Sequence, residues 1–196
     1  VKSLMKEGNR KVIIGLNKEA INLKFFENLI LEDNFVLNAQ VSQTYNGDIY
    51  VKVIENEPIA RVFIKNKSFY LDKTGKKMNL SKNFTSRNIV IRAENYKPAI
   101  SIDYFQKKGV KYVKLIQFIQ GNKFLNKQVS EIKILKNGKL ELTSLIGKQK
   151  VIFGEPEDIE IKFQKLETFF KKILPSVGWD KYKIVNLEFG GQIVCK

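Results

Sequence analysis

The fold is decided by residues 47–80, which have the sequence GDIYVKVIENEPIARVFIKNKSFYLDKTGKKMNL. The stretch begins inside Asn46-Gly47, a dipeptide that strongly favours a tight turn between two strands of a hairpin. Glu57-Pro58 then interrupts the alternation of apolar and polar residues, because proline cannot donate a ladder hydrogen bond inside a sheet. Asp72–Gly75 has the composition of a second turn. The stretch therefore predicts a hairpin that ends near Pro58 and a new set of strands beyond it.

Upstream of this hairpin the sequence predicts a helix. Asn22 stands at the position of an N-cap, and the apolar residues that follow it recur at helical spacing. These residues are Leu23, Phe26, Leu29 and Ile30. Residues 1–8 are predicted to be the end of a shorter helix, and residues 11–16 a short apolar stretch. Residues 1–64 together predict a small α+β domain with its sheet covered on one side, and we expect its first strand to precede Val1.

Downstream, residues 65–196 predict a larger domain. A short strand at Ile89–Ile91 is followed by an apolar stripe with helical spacing at Val110–Gln120. Turn signals at Asn137-Gly138 and Gly147 then separate three stretches of alternating apolar residues, which is the pattern of a β-meander.

The most regular apolar stripe of the sequence follows Pro156 and extends to Ile173. Proline is favoured in the first turn of a helix, so this stripe predicts one continuous helix. A final strand, straight or bent, is predicted within residues 183–195. The predicted fold class is α+β, with a small domain followed by a larger antiparallel sheet and flanking helices.

Composition excludes several classes of function. The chain has no histidine, which removes the commonest general base and the commonest metal ligand. Its single cysteine, Cys195, cannot form an internal disulfide or a zinc cluster, and we interpret it as a free thiol. The net charge of +15 comes almost entirely from lysine, whereas proteins that read nucleic acids favour arginine. Attraction to anionic lipid headgroups is a second interpretation of this charge.

Candidate catalytic residues are few, and each has a simpler structural interpretation. The acidic cluster at residues 155–160 could form a carboxylate pair or a calcium site, but it also lies where a helix start favours negative charge. Asp72 could be a catalytic acid, yet its place in a turn favours a capping role. Gly190-Gly191 is not a phosphate loop, because no helix is predicted after it. We therefore predict no catalytic residue, metal, cofactor or small-molecule substrate.

The sequence contains no predicted membrane span. No run of about 18 apolar residues is present, and no signal peptide is recognised. The sequence begins with Val1 rather than methionine, so an anchor upstream of it remains compatible with these observations.

Four stretches resemble the FtsQ/DivIB family of bacterial cell-division proteins, in the family's order and at similar spacing. The first is Gly47–Phe63, in which residues 57–60 (Glu-Pro-Ile-Ala) resemble the end of the family's POTRA domain. The second is Tyr70–Gly75, an aromatic–apolar pair followed by a turn with Asp and Gly. The others are Val151–Phe170 and Trp179–Cys195, which resemble the helix and the last strands at the family's C-terminal end.

This resemblance implies a POTRA domain over residues 1–64 and an FtsQ-type β-domain over residues 65–196. It implies a single-pass protein of the inner membrane, anchored upstream of this sequence, with this part in the periplasm at the division site. It further implies a scaffold of the divisome rather than an enzyme. Such a scaffold binds FtsB-like and FtsL-like division proteins and other divisome components, does not bind nucleic acid, and supports septal peptidoglycan synthesis.

The resemblance also implies how a partner binds. In the family, a strand of FtsB pairs with the last strand of the β-domain, since an edge strand offers unpaired N–H and C=O groups. Here we expect that edge at Val185–Val194, with the two glycines allowing a bulge and lysines of the preceding helix meeting acids of the partner. The expected partner-binding residues are Val185, Leu187, Phe189, Gly190, Gly191, Gln192, Ile193, Val194, Lys162 and Lys165.

Three other functions remain open from the sequence. Another periplasmic POTRA-containing module, of an assembly or secretion system, would share the small domain, although tandem POTRA repeats are not visible. A nucleic-acid-binding protein would show steeply salt-dependent affinity. An enzyme would need a convergent set of catalytic groups, which we do not find in the sequence.

Overall fold

The computed structural model describes residues 22–80, 88–93 and 95–196, and it divides the chain into two compact units, Val1–Glu57 and Pro58–Lys196. The predictions for residues 1–16 lie outside the described residues. The domain boundary predicted between residues 64 and 65 is wrong by one strand, because Pro58–Ile64 is hydrogen-bonded into the sheet of the second unit. Pro58 therefore begins the second unit, and the first unit ends just before it.

The first unit is a helix packed on a hairpin, as predicted. Asn22 caps the helix, since its Oδ1 accepts a hydrogen bond from the backbone N–H of Phe25 at 3.0 Å. The carboxylate of Glu27 accepts the backbone N–H of Val41 at 3.0 Å and so ties the helix to the hairpin. That hydrogen bond, together with the ammonium of Lys24, lowers the pKa of Glu27. The elements are α1 (Leu23–Leu31), β1 (Val36–Gln43) and β2 (Ile49–Glu55).

The second unit contains one mixed sheet of nine strands in the order β11-β10-β9-β8-β7-β6-β3-β4-β5. In chain order the strands are β3 (Pro58–Ile64), β4 (Lys67–Asp72), β5 (Lys77–Met78), β6 (Ile89–Arg92), β7 (Val129–Ile134), β8 (Leu140–Ser144), β9 (Lys150–Gly154), β10 (Ile184–Asn186) and β11 (Val194–Cys195). The meander β7-β8-β9 is antiparallel, as predicted. The α+β class is confirmed, but the prediction of an antiparallel sheet is wrong for the pairs β3/β6, β6/β7 and β9/β10, which are parallel.

Helical crossovers explain two of these parallel pairs, β6/β7 and β9/β10. Two parallel neighbours need a connection of a dozen residues or more, which usually contains a helix. The connection from β6 to β7 contains α2 (Val110–Gly121) and the short α3 (Leu125–Gln128). The connection from β9 to β10 contains α4 (Ile159–Thr168), a π-helical segment (Phe169–Ile173) and α5 (Leu174–Val177).

Aromatic side chains join both long helices to the sheet. The ring of Phe163 on α4 lies 5.4 Å from that of Phe118 on α2 and 5.1 Å from that of Phe153 on β9, measured between centroids. Phe153 and Phe163 are fully buried. Burial of side chains of this size contributes about 1.5–3 kcal/mol each, so this cluster fixes the position of α4 against the sheet.

The helix predicted to follow Pro156 differs from the prediction in two respects. It begins at Ile159, after Asp158 adopts a left-handed conformation with φ of 50°. It is then interrupted by the π-helical turn, which ends shortly before Pro175, a residue that cannot donate the helical hydrogen bond to a carbonyl one turn earlier. The helix ends before Gly178, whose φ is +99°.

The turn between β4 and β5 is organised by Asp72, which is only 3% exposed. Its Oδ1 accepts hydrogen bonds from the backbone N–H of Thr74 (2.8 Å), the hydroxyl of Thr74 (2.6 Å) and the backbone N–H of Lys76 (3.0 Å). The turn also requires Gly75, since its φ is +81° and a Cβ there would lie 2.6 Å from the carbonyl oxygen of Phe105. The capping interpretation of Asp72 is thereby confirmed.

We predict that Asp72→Ala lowers the free energy of unfolding by about 2 kcal/mol, because it removes the buried carboxylate that accepts three hydrogen bonds within the turn. Chemical denaturation monitored by circular dichroism measures this loss. Asp72→Asn is the matched control, since it keeps the Oδ1 acceptor and should cost less. Equal losses in the two variants would show that the charge of Asp72, rather than its acceptor geometry, stabilises the turn.

Candidate partner-binding site

The C-terminal segment does not form the single edge strand predicted at Val185–Val194. It forms two short strands, β10 and β11, that pair antiparallel with each other. Between them the chain turns at Gly190-Gly191, and Gly191 has a φ of +72° that a side chain would disfavour. The glycines therefore reverse the chain rather than produce a bulge in a continuous strand.

As a result, β10 lies inside the sheet and not at its edge. Val185 is paired with Val151 of β9 on one side and with Cys195 of β11 on the other. The backbone N–H of Leu187 donates to the carbonyl of Ile152 at 2.9 Å. Val185 and Leu187 are both 0% exposed. These two predicted partner-binding residues belong to the core, and a partner cannot reach their side chains.

The outer strand is β11, and its hydrogen bonding shows which backbone groups it offers. Ile184 and Lys196 exchange two backbone hydrogen bonds of 2.9 Å each. Inward and outward pairs alternate along an antiparallel strand, so the N–H and C=O of Cys195, and by the same alternation those of Ile193, point away from β10. Within the described residues no strand pairs with this outer side of β11. A backbone edge is therefore present, but it is shorter than predicted.

Lys165 of α4 holds the loop that connects β10 to β11. Its Nζ donates to the carbonyl oxygens of Phe189 (2.7 Å), Leu187 (3.2 Å) and Gln192 (3.4 Å). A single ammonium has three donors, so this contact uses its hydrogen-bonding capacity within the chain. The side chain predicted to meet acids of a partner instead positions the loop next to the edge strand.

Lys162 is also not the surface cation that the sequence predicted. It is 9% exposed, its Nζ donates to the carbonyl oxygen of Glu155 at 2.7 Å, and the same atom lies 4.9 Å from the centre of the Phe153 ring. Burial lowers the pKa of Lys162. A long aliphatic stem allows a lysine to pack inward at a position that a helical pattern alone would assign to solvent.

The surface beside the edge is partly apolar. Phe189 is 48% exposed in the loop, next to the exposed Gly190 and Gln192. Ile161 is 58% exposed and lies one helical turn before Lys165, on the helix face whose lysine contacts the loop. Sequence reasoning missed Ile161, because an isolated apolar residue on the outer side of a helix is common and carries no signal by itself.

The residues that the structure describes contain no metal-binding cluster. Among residues 22–80, 88–93 and 95–196, no cluster of three or more Cys, Asp or Glu side chains could hold a metal ion. Cys195 is half-buried, and burial raises the pKa of its thiol. None of the helices described has the length and apolar character needed to cross a bilayer.

We predict that Lys165→Met releases the loop without unfolding the protein. The expected result is faster amide hydrogen exchange at residues 187–193 and a loss of about 1 kcal/mol in the free energy of unfolding, because three carbonyls lose a charged donor. Lys172→Met, at an exposed position after α4, is the matched control and should leave the exchange unchanged. Unchanged exchange in Lys165→Met would contradict the assigned role of Lys165.

Comparison with known proteins gives a family for the second unit. Residues 57–196 match the family model described as "FtsQ/DivIB, C-terminal related". No curated protein matches the sequence. The match begins at Glu57, next to the boundary between the two compact units, and extends to the last residue. It confirms the resemblance seen in the sequence and gives the protein a role in cell division. The chain belongs to the FtsQ/DivIB family.

Proposed function

We propose that this chain is a non-catalytic scaffold of the division machinery whose C-terminal edge, β11, takes a strand from an FtsB-like partner. The observation that carries the proposal is the hydrogen-bonded pair of Ile184 and Lys196, from which we infer that the backbone groups of Cys195 and Ile193 point outward at the end of the sheet. A partner strand gains main-chain hydrogen bonds there. Membership of the FtsQ/DivIB family supports a partner from cell division.

Strand addition alone would give a weak complex. β11 has two residues, so only a few hydrogen bonds can form, and each contributes about 0.5–1.5 kcal/mol net. Phe189 is exposed in the loop that leads into β11, and Ile161 is exposed on α4 one turn before Lys165; both offer apolar surface that the partner would remove from water. In this proposal, the ladder sets the orientation of the partner strand, and these two side chains supply most of the affinity.

Lys165 contributes indirectly in this proposal. Its ammonium fixes the carbonyls on both sides of Gly190-Gly191, so the loop is ordered before a partner binds. A site ordered in advance loses less conformational entropy on binding. The net charge of +15 adds long-range attraction to an acidic partner, which accelerates association more than it stabilises the complex.

The rest of the proposed assembly follows from the family. We propose that Leu23–Glu55 is the last helix and hairpin of a POTRA domain, and that a transmembrane helix precedes the sequence. This part would then lie in the periplasm, next to the inner membrane, at the division site. An FtsL-like protein would join the complex through the FtsB-like partner, and the complex would support septal peptidoglycan synthesis.

The test is binding of this chain to the periplasmic segment of the FtsB-like protein from the same organism, measured by calorimetry. Ile193→Pro removes one outward N–H, and we expect it to raise Kd about tenfold. Ile193→Ala is the matched control: it shortens the side chain but keeps the N–H, so its Kd should rise less. Phe189→Ala should also raise Kd, by removing apolar contact.

Each variant must first show the thermal transition of the parent chain. Equal affinity of the Pro and Ala variants, both folded, would contradict strand addition at β11, whatever the effect of Phe189→Ala. Absence of binding by the parent chain at the highest concentration would contradict a two-component complex with the FtsB-like protein.

A further inference from the structure

A cavity of about 650 Å³ lies at the carboxyl ends of the parallel strands β6 and β7, away from β11. This volume is within the usual range of small-molecule sites. The carboxyl ends of parallel strands are also where open sheets most often bind ligands. The cavity is lined by Arg92, Asn95, Lys133, Ile134, Leu135, Lys136 and Asn137.

The cavity wall formed by the turn from β7 to β8 is held in place by tyrosines. The hydroxyl of Tyr112 donates to the carbonyl oxygen of Gly138 at 2.9 Å, directly after the lining residue Asn137. The ring of Tyr96 packs edge-on against that of Tyr112 at 6.1 Å. The hydroxyls of Tyr96 and Tyr104 are 2.6 Å apart. The wall is therefore fixed from behind, and the cavity does not depend on a free loop tip.

The described residues that line the cavity have an excess of positive charge. Arg92 and Lys133 are directly paired in the parallel register, which places two like charges side by side. The carboxylate of Glu131 accepts a hydrogen bond from the Nε of Arg92 at 2.7 Å and so offsets the charge of Arg92. Glu141 stands opposite Lys133, but its carboxylate forms an ion pair with Lys150 at 2.6 Å.

Lys133 and Lys136 have no ion pair of their own with the carboxylates of residues 22–80, 88–93 and 95–196. Both lysines line the same cavity, so an anion bound there would be attracted by two charges that lack a carboxylate partner among the described residues. The side chains of Asn95 and Asn137 add neutral hydrogen-bond donors to the same cavity.

We propose that this cavity binds a phosphate group. A phosphate monoester carries a charge of about −1.5 to −2 near neutral pH, which matches the two lysines, whereas a single carboxylate would neutralise only one. Its several acceptor oxygens also suit a cavity lined by two ammonium groups and two carboxamides. The phosphate has two chemically equivalent sources, a soluble phosphorylated compound and the headgroup of an anionic lipid.

The test uses the chain labelled with ¹⁵N and titrated with inorganic phosphate. We expect amide shifts concentrated at residues 92–95 and 133–138. In the double variant Lys133→Gln/Lys136→Gln, Kd should rise at least about tenfold, because two charged donors are lost. The control is Lys123→Gln/Lys127→Gln, which removes the same charge from exposed positions near α3 and should leave Kd within about twofold of the parent.

Vesicles that contain phosphatidic acid distinguish the two sources. If the double variant Lys133→Gln/Lys136→Gln cosediments with these vesicles less than the control double variant does, the site binds a lipid headgroup. Inorganic phosphate binding at the cavity without this difference on vesicles would assign it to a soluble compound. Equal loss of phosphate affinity in the two double variants, or no shift at the cavity amides, would overturn the proposal.

Discussion

The position of α4 depends on one contact, the Phe163 ring between Phe118 and Phe153. Because this ring is fully buried, the helix cannot rotate about its axis without opening the core. The orientation of α4 then sets the directions of the neighbouring side chains. Lys162 packs inward over the Phe153 ring, and Lys165 reaches the carbonyls of the C-terminal loop. The core thus determines where the chain reverses and how β11 is presented, although none of these core residues is at the surface.

Local signals in the sequence predicted most of the secondary structure. Asn22 caps its helix, and the turns at Asn46-Gly47 and Asn137-Gly138 connect antiparallel strands. Each signal acts through residues a few positions apart, so no knowledge of the rest of the fold is needed. The parallel pairs were missed because they join strands that are far apart in sequence. Strand β10 meets β9 across the connection of residues 155–183, which is partly helical, and an alternating apolar pattern does not specify which neighbour a strand will pair with.

The structure of the C-terminal segment was predicted only in part, and the lysines of α4 are one reason. A helical pattern distinguishes an apolar stripe from a polar face, but a lysine stem is long enough to belong to either. Lys162 is buried over an aromatic ring and Lys165 binds carbonyls of the loop, and in both cases the partner is distant in sequence. The two glycines at residues 190 and 191 were predicted to allow a bulge, but glycines permit a bulge and a reversal of the chain equally well. In the structure, the contacts of Lys165 with the loop and the pairing of Ile184 with Lys196 stabilise the reversal rather than a bulge.

Within the described residues, both ends of the large sheet are two-residue strands, β5 and β11. Short edge strands protect a protein from indiscriminate pairing with other sheets, because each offers too few hydrogen bonds to bind an unrelated strand. The same shortness constrains any partner of β11. In the proposed complex, a partner would gain further affinity from apolar side chains near the edge, and Phe189 and Ile161 are the exposed candidates. A scaffold that binds a strand therefore does not need a long exposed edge strand. A short ladder of hydrogen bonds can set the orientation of the partner strand, and neighbouring apolar contacts can discriminate between partners.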